Sequence, residues 1–146
     1  MFSRRLAGVL IGAAAVIAPI AVTAPAQAAS PPSYPVGTNG DSPRCDAASA
    51  KICLFAGPSI LTAYSFYGTQ IAHKDITNEH FRADEGAGSG QVVSTTAQAV
   101  ACTTRTSSAC TIWAGVNYGG NDDWLAAGQV GKLHNTLANA RSISVS

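Results

Sequence analysis

The sequence predicts an all-β sandwich built from two similar halves, and three observations carry that reading. The segment starting at Cys45 reads CDAASAKICLFAG and the one starting at Cys102 reads CTTRTSSACTIWAG. Each is a cysteine, seven residues, a second cysteine and an aliphatic-aromatic-Ala-Gly strand end, with a slip of one residue between the cysteine pair and the strand. Short β-prone runs recur roughly every 8–12 residues with glycine turns between them. Helical character is confined to residues 75–83, which have room for a helical turn or two.

Residues 1–28 stand apart from this pattern. Arg4 and Arg5 precede an uncharged apolar run from Leu6 to Val22, and Ala26-Gln27-Ala28 fits the small-x-small cleavage rule. The segment is therefore expected to be a signal peptide that is removed, which makes the protein secreted and extracellular. The competing reading is a retained anchor. Pro19 within the run and the lack of flanking stop-transfer charges argue against it.

Over all 146 residues the chain is 47% apolar with a net charge of +1. Residues 29–146 alone carry seven basic and eight acidic side chains, and their 49 apolar residues are an ordinary share for a globular domain. Charge this close to neutrality, with no basic run, argues against nucleic acid or an anionic membrane as the main partner. An aromatic content of 7% is low for a base-stacking platform.

Residues 29–44, ASPPSYPVGTNGDSPR, hold four Pro and two Gly and are expected to form a flexible or extended leader. The first half, 45–101, continues through the strand end Leu54-Phe55-Ala56-Gly57 and through Tyr64, Phe66 and Tyr67 before Gly68. The turn Gly86-Ala87-Gly88-Ser89-Gly90 follows, and then a β-prone run over 91–102. The second half, 102–146, has the strand end Ile112-Trp113-Ala114-Gly115 and the turn-rich Val116-Asn117-Tyr118-Gly119-Gly120-Asn121. Trp124-Leu125 then precede Gly128, and Ser142-Ile143-Ser144-Val145 alternates as a half-buried strand does. Halves of about 50 residues bury too little surface alone, so they are expected to pack on each other.

In an oxidising compartment four cysteines imply two disulfides rather than catalytic thiols. The repeat implies Cys45–Cys53 and Cys102–Cys110. Four cysteines allow three pairings, and on sequence alone the other two stay open. Each implied ring spans nine residues and is worth roughly 2–3 kcal/mol by chain entropy, so it staples local shape more than global fold.

Catalytic patterns are poorly represented, and no enzyme is expected. His73 and His80 lie seven residues apart, which neither matches a metalloprotease motif nor stacks two imidazoles on one helix face, and His134 is the third imidazole. Ser89 lacks the flanking glycines of a nucleophile elbow. The glycine-rich segment 86–90 has neither the last glycine of a dinucleotide fingerprint nor a phosphate-loop lysine. Asp122-Asp123 offers oxygen ligands of the kind calcium takes, but a solvated turn is the simpler reading.

The duplicated cysteine-strand pattern, Ile112-Trp113-Ala114-Gly115-Val116-Asn117-Tyr118-Gly119-Gly120 and the ending Asn139-Ala140-Arg141-Ser142-Ile143-Ser144-Val145 resemble the secreted bacterial peptidase inhibitors of the Streptomyces metalloproteinase inhibitor type. The resemblance runs from about Cys45 to Ser146. It implies a βγ-crystallin-like sandwich of two packed Greek-key halves, each with its own disulfide, and inhibition of an extracellular protease of metallo or serine type. It also implies that the reactive bond follows the first cysteine of the second half, here Cys102-Thr103, with Thr104 and Arg105 beside it.

Independently of the resemblance, a ring closed by Cys102 and Cys110 supplies the rigid frame such a loop needs, because preorganisation removes the ordering cost of a free peptide. Arg105 is the sole charge in the loop and is either a solvated side chain, the simpler reading, or one that suits the acidic specificity pocket of a trypsin-like target, whereas Thr103 stands where thermolysin-like enzymes favour a bulky apolar side chain. The first-half loop, 46–52, with Asp46 and Lys51, is a second candidate for the working loop.

The alternative is a βγ-crystallin-like extracellular binding or structural module with no protease target. Calcium-binding members of that fold place acidic and hydroxyl ligands together. The corresponding stretches, 138–143 and 90–95, offer no carboxylate, so neither calcium nor another cofactor is expected. A secreted toxin is disfavoured by the net charge of −1 over 29–146. A monomer is expected, with an extracellular protease as partner and neither nucleic acid nor membrane.

Overall fold

Side chains alternate between interior and surface along Ala109–Trp113 and Asp122–Ala126, whereas Ile52–Phe55 and Ala99–Cys102 are buried on both faces, as central strands under two apolar layers are. The computed structural model describes residues 34–38, 44–45, 48–60, 63–83 and 86–146; the signal segment lies outside them. The strands are β1 (Tyr34–Thr38), β2 (Ile52–Phe55), β3 (Phe66–Thr69), β4 (Ala99–Cys102), β5 (Ala109–Trp113), β6 (Asp122–Ala126), β7 (Gln129–Lys132) and β8 (Ser142–Val145). One four-residue helical turn, α1 (Val93–Thr96), precedes β4. Two antiparallel sheets result, a five-stranded one in the order β1-β7-β4-β2-β3 and a three-stranded one in the order β6-β5-β8.

The sheets do not follow the two halves of the repeat. β7 comes from the second half yet pairs with β4, setting Ala101 opposite Val130. In return His73 of the first half bridges Ile143 on β8, with N–H···O distances of 2.8 and 2.9 Å in the two directions. Each half thus lends an extended segment to the other's sheet. Part of the leader is ordered as well, since β1 adds to β7 with a register shift between Pro35 and Gly37. Proline lacks a backbone donor, so an outermost strand is the place that tolerates it.

The inner faces of the sheets meet in one core of Ile52, Leu54, Val100, Cys102, Cys110, Ile112, Leu125 and Ile143, extended by Ile76, Phe81 and Val93. A second cluster of Cys45, Ala50, Cys53, Phe55, Phe66, Ala99, Ala101 and Val130 covers the other face of the larger sheet. Phe55 and Phe66 stack at 6.0 Å, and the guanidinium groups of Arg44 and Arg82 lie 4.9 and 4.5 Å from the Phe66 ring.

Both disulfides have the pairing the repeat implies, Cys45–Cys53 and Cys102–Cys110. The one-residue slip decides their surroundings. Strand side chains alternate faces, so moving the cysteine by one position sends Cys53 to the outer cluster and Cys110 to the inner core. Cys53 lies against Gly68, where an added Cβ would fall 3.0 Å from its sulfur and 3.1 Å from the Ala50 Cβ. The second bridge joins β4 of one sheet to β5 of the other. Its role therefore extends to the global fold, beyond the mainly local stapling expected of so small a ring.

Two local expectations also change. Residues 75–83 form no helix, because the Asp75 carboxylate accepts from the Thr77 N–H (2.9 Å) and Oγ1 (2.6 Å), closing a side-chain turn. Ile76 and Phe81 then bond to the backbone of Arg141 and Gln91 across the molecule. The β-prone run 91–102 instead opens with α1, where the Ala97 N–H reaches the Val93 carbonyl at 3.0 Å. Val93 and Ala97, four apart and both buried, anchor that turn in the core. Gly86, Gly88 and Gly90 all have positive φ, so the glycine-rich segment is a turn as read; at Gly88 a Cβ would meet the Ala56 Cβ at 2.2 Å.

Candidate functional site

The loop between Cys102 and Cys110 leaves the end of β4 and is latched from three directions. Thr103 donates its N–H to the Lys51 carbonyl (2.8 Å) and its hydroxyl to the Ala50 carbonyl (2.9 Å), both on the first half of the chain. Thr106 donates its N–H to the Thr103 carbonyl (3.1 Å), closing a β-turn, and its hydroxyl to the Lys51 carbonyl (3.1 Å). Ser107 and Ser108 donate their N–H groups to the Ser146 carbonyl at 2.8 and 3.2 Å, and the Ser108 and Ser146 hydroxyls meet at 2.7 Å. The β6–β7 connection completes the frame, since Ala127 N–H bonds Ser108 and Gly128 N–H bonds Cys102, each at 2.9 Å.

Burial divides the loop sharply. Cys102 and Thr103 are 0% exposed and Thr106 is 3% exposed, whereas Thr104, Arg105, Ser107 and Ser108 face solvent. The Cys102-Thr103 bond is therefore interior: the half-cystine points into the inter-sheet core, and the Thr103 hydroxyl follows it inward to satisfy a buried carbonyl. The accessible corner is Thr104-Arg105, one residue further along. These threonines, which look like loop polarity in the sequence, are the latches. Their signal was the run Thr103-Thr104-Arg105-Thr106, in which hydroxyls suit local carbonyl capping.

The first-half loop is packed against the outer face of the larger sheet. Ala50 and Ile52 are buried, Lys51 donates its N–H to the Thr69 carbonyl at 2.9 Å, and Ser49 adopts a positive φ of 54°. Asp46 lies outside the described residues. The two loops touch, since Ala50 and Lys51 are the acceptors for Thr103 and Thr106.

The remaining candidates are dispersed. His73 shares a 2.9 Å hydrogen bond with the Thr69 hydroxyl and sits edge-on to Tyr67, His80 bridges Val92, and His134 belongs to the segment after β7. Burial, with Glu79 as a smaller cause, pushes the Tyr67 phenol up to about 12. The Asp75 carboxyl lies below its ordinary range because of its hydrogen bonds from Thr77, the side-chain bond first.

Asp123 corrects the solvated-turn expectation. It is fully buried on β6, and its oxygens accept from the N–H groups of His134, Asn135 and Thr136 and from the Thr136 hydroxyl. Asp122 stays partly exposed, its carbonyl capped by the Asn135 amide at 2.7 Å. Ser142, in one of the degenerate calcium-type stretches, is buried and donates to the Gly115 carbonyl at 2.6 Å while accepting the Tyr118 N–H at 3.0 Å. It thereby pins the tight turn 116–118, whose Asn117 and Tyr118 have φ of 55° and 60°. Among the described residues no three His, Cys, Asp or Glu side chains are grouped to hold a metal, and no helix is long and apolar enough to cross a membrane.

In comparisons with known proteins, no family model, no curated protein and no solved structure matches this chain.

Proposed function

We propose that the mature protein is a secreted peptidase inhibitor with a βγ-crystallin-like, Greek-key architecture, acting through the exposed corner of the loop framed by Cys102 and Cys110. The observation that carries this reading is the division within that loop. Thr103 and Thr106 are buried and hydrogen-bonded, and between them Thr104 and Arg105 stand out on a rigid corner. A protein-binding element fixed in this way loses little conformational freedom on docking, which is where small rigid inhibitors gain affinity. The exchange of β7 and the His73 segment between the halves supports the Greek-key assignment. Removal of residues 1–28 on export accounts for two disulfides in so small a chain.

Burial of Cys102-Thr103 moves the contact away from the bond that the family resemblance points to. In this reading Arg105 enters the acidic specificity pocket of a trypsin-like enzyme and no bond of the loop is turned over. The same burial favours a second reading, a non-inhibitory extracellular binding or structural module, since a β-turn at Thr104-Arg105 departs from the extended shape in which proteases take substrate segments.

Titration of the mature protein against trypsin, subtilisin and a thermolysin-like metalloprotease separates the two. The inhibitor reading expects tight inhibition of trypsin, lost in Arg105→Ala, with the loop uncleaved. Absence of inhibition of all three enzymes by folded protein overturns the inhibitor reading and leaves the module.

A further inference from the structure

We propose that the outer face of the three-stranded sheet is a binding platform for a neutral polysaccharide, with Trp113 and Trp124 as its stacking surfaces. The chain has two tryptophans, and both stand on this face. Trp124 is 42% exposed and Trp113 partly so, while the interior is filled by Phe55, Phe66 and Phe81. Trp124 forgoes much of the burial that an aromatic side chain ordinarily contributes, and Trp113 keeps only part of its ring open, which makes the face a candidate for a partner that covers them.

The register sets out the platform in rows. Trp124 on β6 lies opposite Thr111 on β5, which lies opposite Ser144 on β8; in the next row Trp113 lies between Asp122 and Ser142. The Trp113 indole N–H donates to the Ser144 hydroxyl at 3.3 Å, so this ring reaches across β8 and is held there. Thr111 consequently lies between one indole on its β6 side and the other on its β8 side. Two strand spacings separate β6 from β8, a width of about 10 Å that spans more than one sugar ring.

The chemistry of these positions selects the occupant. Asp122, at one corner, is the one charged side chain among the face's strand positions, so a polyanion finds no complement there and a polycation a single carboxylate rather than a charged track. Beside the rings stand the partly exposed hydroxyls of Thr111 and Ser144, with the small Ala109 and Ala126 in the row beyond and Ser142 buried, which disfavours a lipid tail or a hydrophobic peptide. A pyranose has an apolar C–H face that packs on an indole and a rim of hydroxyls that bond to Ser and Thr. A rigid, flat sheet matches the extended ribbon of a β-linked chain.

Because both tryptophans sit on the proposed site, the emission of the unlabelled mature protein reports occupancy directly. The protein is titrated with soluble xylan, mixed-linkage β-glucan and chitin oligomers, and co-sedimented with insoluble cellulose and chitin. At least one of these is expected to shift the emission to the blue and to shield it from acrylamide. Trp124→Ala is expected to weaken that binding about tenfold while the protein stays folded with a modestly lower melting temperature, because the ring is 42% exposed. Thr111→Val tests the hydroxyl without removing a ring. No emission change and no co-sedimentation with the whole panel overturns the proposal, as does binding that Trp124→Ala retains. An emission shift that follows protein concentration instead of polysaccharide also overturns it, and assigns the face to a second copy of the chain. Arg105→Ala leaves polysaccharide binding intact, so this test is independent of protease inhibition.

Discussion

The Asp123 carboxylate closes on Thr136: one oxygen accepts the Thr136 hydroxyl at 2.6 Å and its N–H at 2.9 Å. The adjacent N–H groups of His134 and Asn135 converge on the same carboxylate at 3.0 and 3.2 Å. Three successive backbone donors of the segment after β7 are thus satisfied by a single charge that is fully buried at the end of β6.

Replacing Asp123 leaves the buried Thr136 N–H and hydroxyl, and the part-buried N–H groups of His134 and Asn135, without their acceptor. Asp123→Ala is expected to destabilise the fold by about 3–5 kcal/mol. Asp123→Asn also costs stability despite its matching shape, because its amide nitrogen cannot accept. Urea unfolding followed by circular dichroism measures both, and a loss under about 1 kcal/mol for either would contradict the role given to this carboxylate.

Thr103→Val removes a hydroxyl at constant volume and strips the Ala50 carbonyl of its 2.9 Å donor. The expected cost is about 1–2 kcal/mol, with faster amide exchange over residues 103–108. Thr104→Val, at an exposed corner, is expected to change stability by less than about 0.5 kcal/mol. Equal effects at the two positions would remove the distinction between latch and corner.

The two disulfides close rings of the same length, each with a sequence separation of 8. On chain entropy alone each contributes about 2–3 kcal/mol. Cys102–Cys110 also lies in the inter-sheet core, so a Cys102→Ala, Cys110→Ala variant loses packing between the sheets as well. It is expected to melt below the Cys45→Ala, Cys53→Ala variant. Scanning calorimetry gives the order, and the reverse order would place the main sheet-to-sheet staple elsewhere.

Tyr67 supplies a test at alkaline pH. Its phenol is pushed up to about 12 by burial first and by Glu79 second. Between the unfolded value near 10 and that folded value, the unfolded chain releases the proton while the folded chain keeps it. Stability is therefore present below pH ~10 and falls as pH rises toward 12. Ultraviolet titration is expected to show one tyrosine ionising late, and Tyr67→Phe is expected to abolish that step. An unchanged titration in the variant would assign the late step to another residue.

Much of this architecture is legible in the chain. Glycines and aromatics mark strand ends, and the repeat implies Cys45–Cys53 and Cys102–Cys110, the pairing that the structure selects from the three possible ones. The site is less legible, because exposure in a loop depends on neighbours distant in sequence. Thr103, Thr104, Arg105 and Thr106 look alike as a polar run, yet the Ala50 and Lys51 carbonyls draw two of them inward and leave the other two in solvent. Likewise Asp122 and Asp123 are indistinguishable as a dipeptide. Strand alternation sends one outward and the other into the core, where three N–H groups await it.

What the sequence by itself determined is the β class, the duplicated unit and the one-residue slip within the repeat, which favours one of the three possible cysteine pairings. These follow from local preferences and periods of two, which neighbouring residues decide. Only the tertiary structure decided which sheet each half joins, that one bridge spans both sheets, that Cys102-Thr103 is interior, and that both tryptophans share an outer face. The first of these depends on contacts between segments distant in sequence, such as His73 with Ile143, and even the shared tryptophan face needs the register that sets Trp113 opposite Asp122. A local pattern carries no record of the partner that satisfies it.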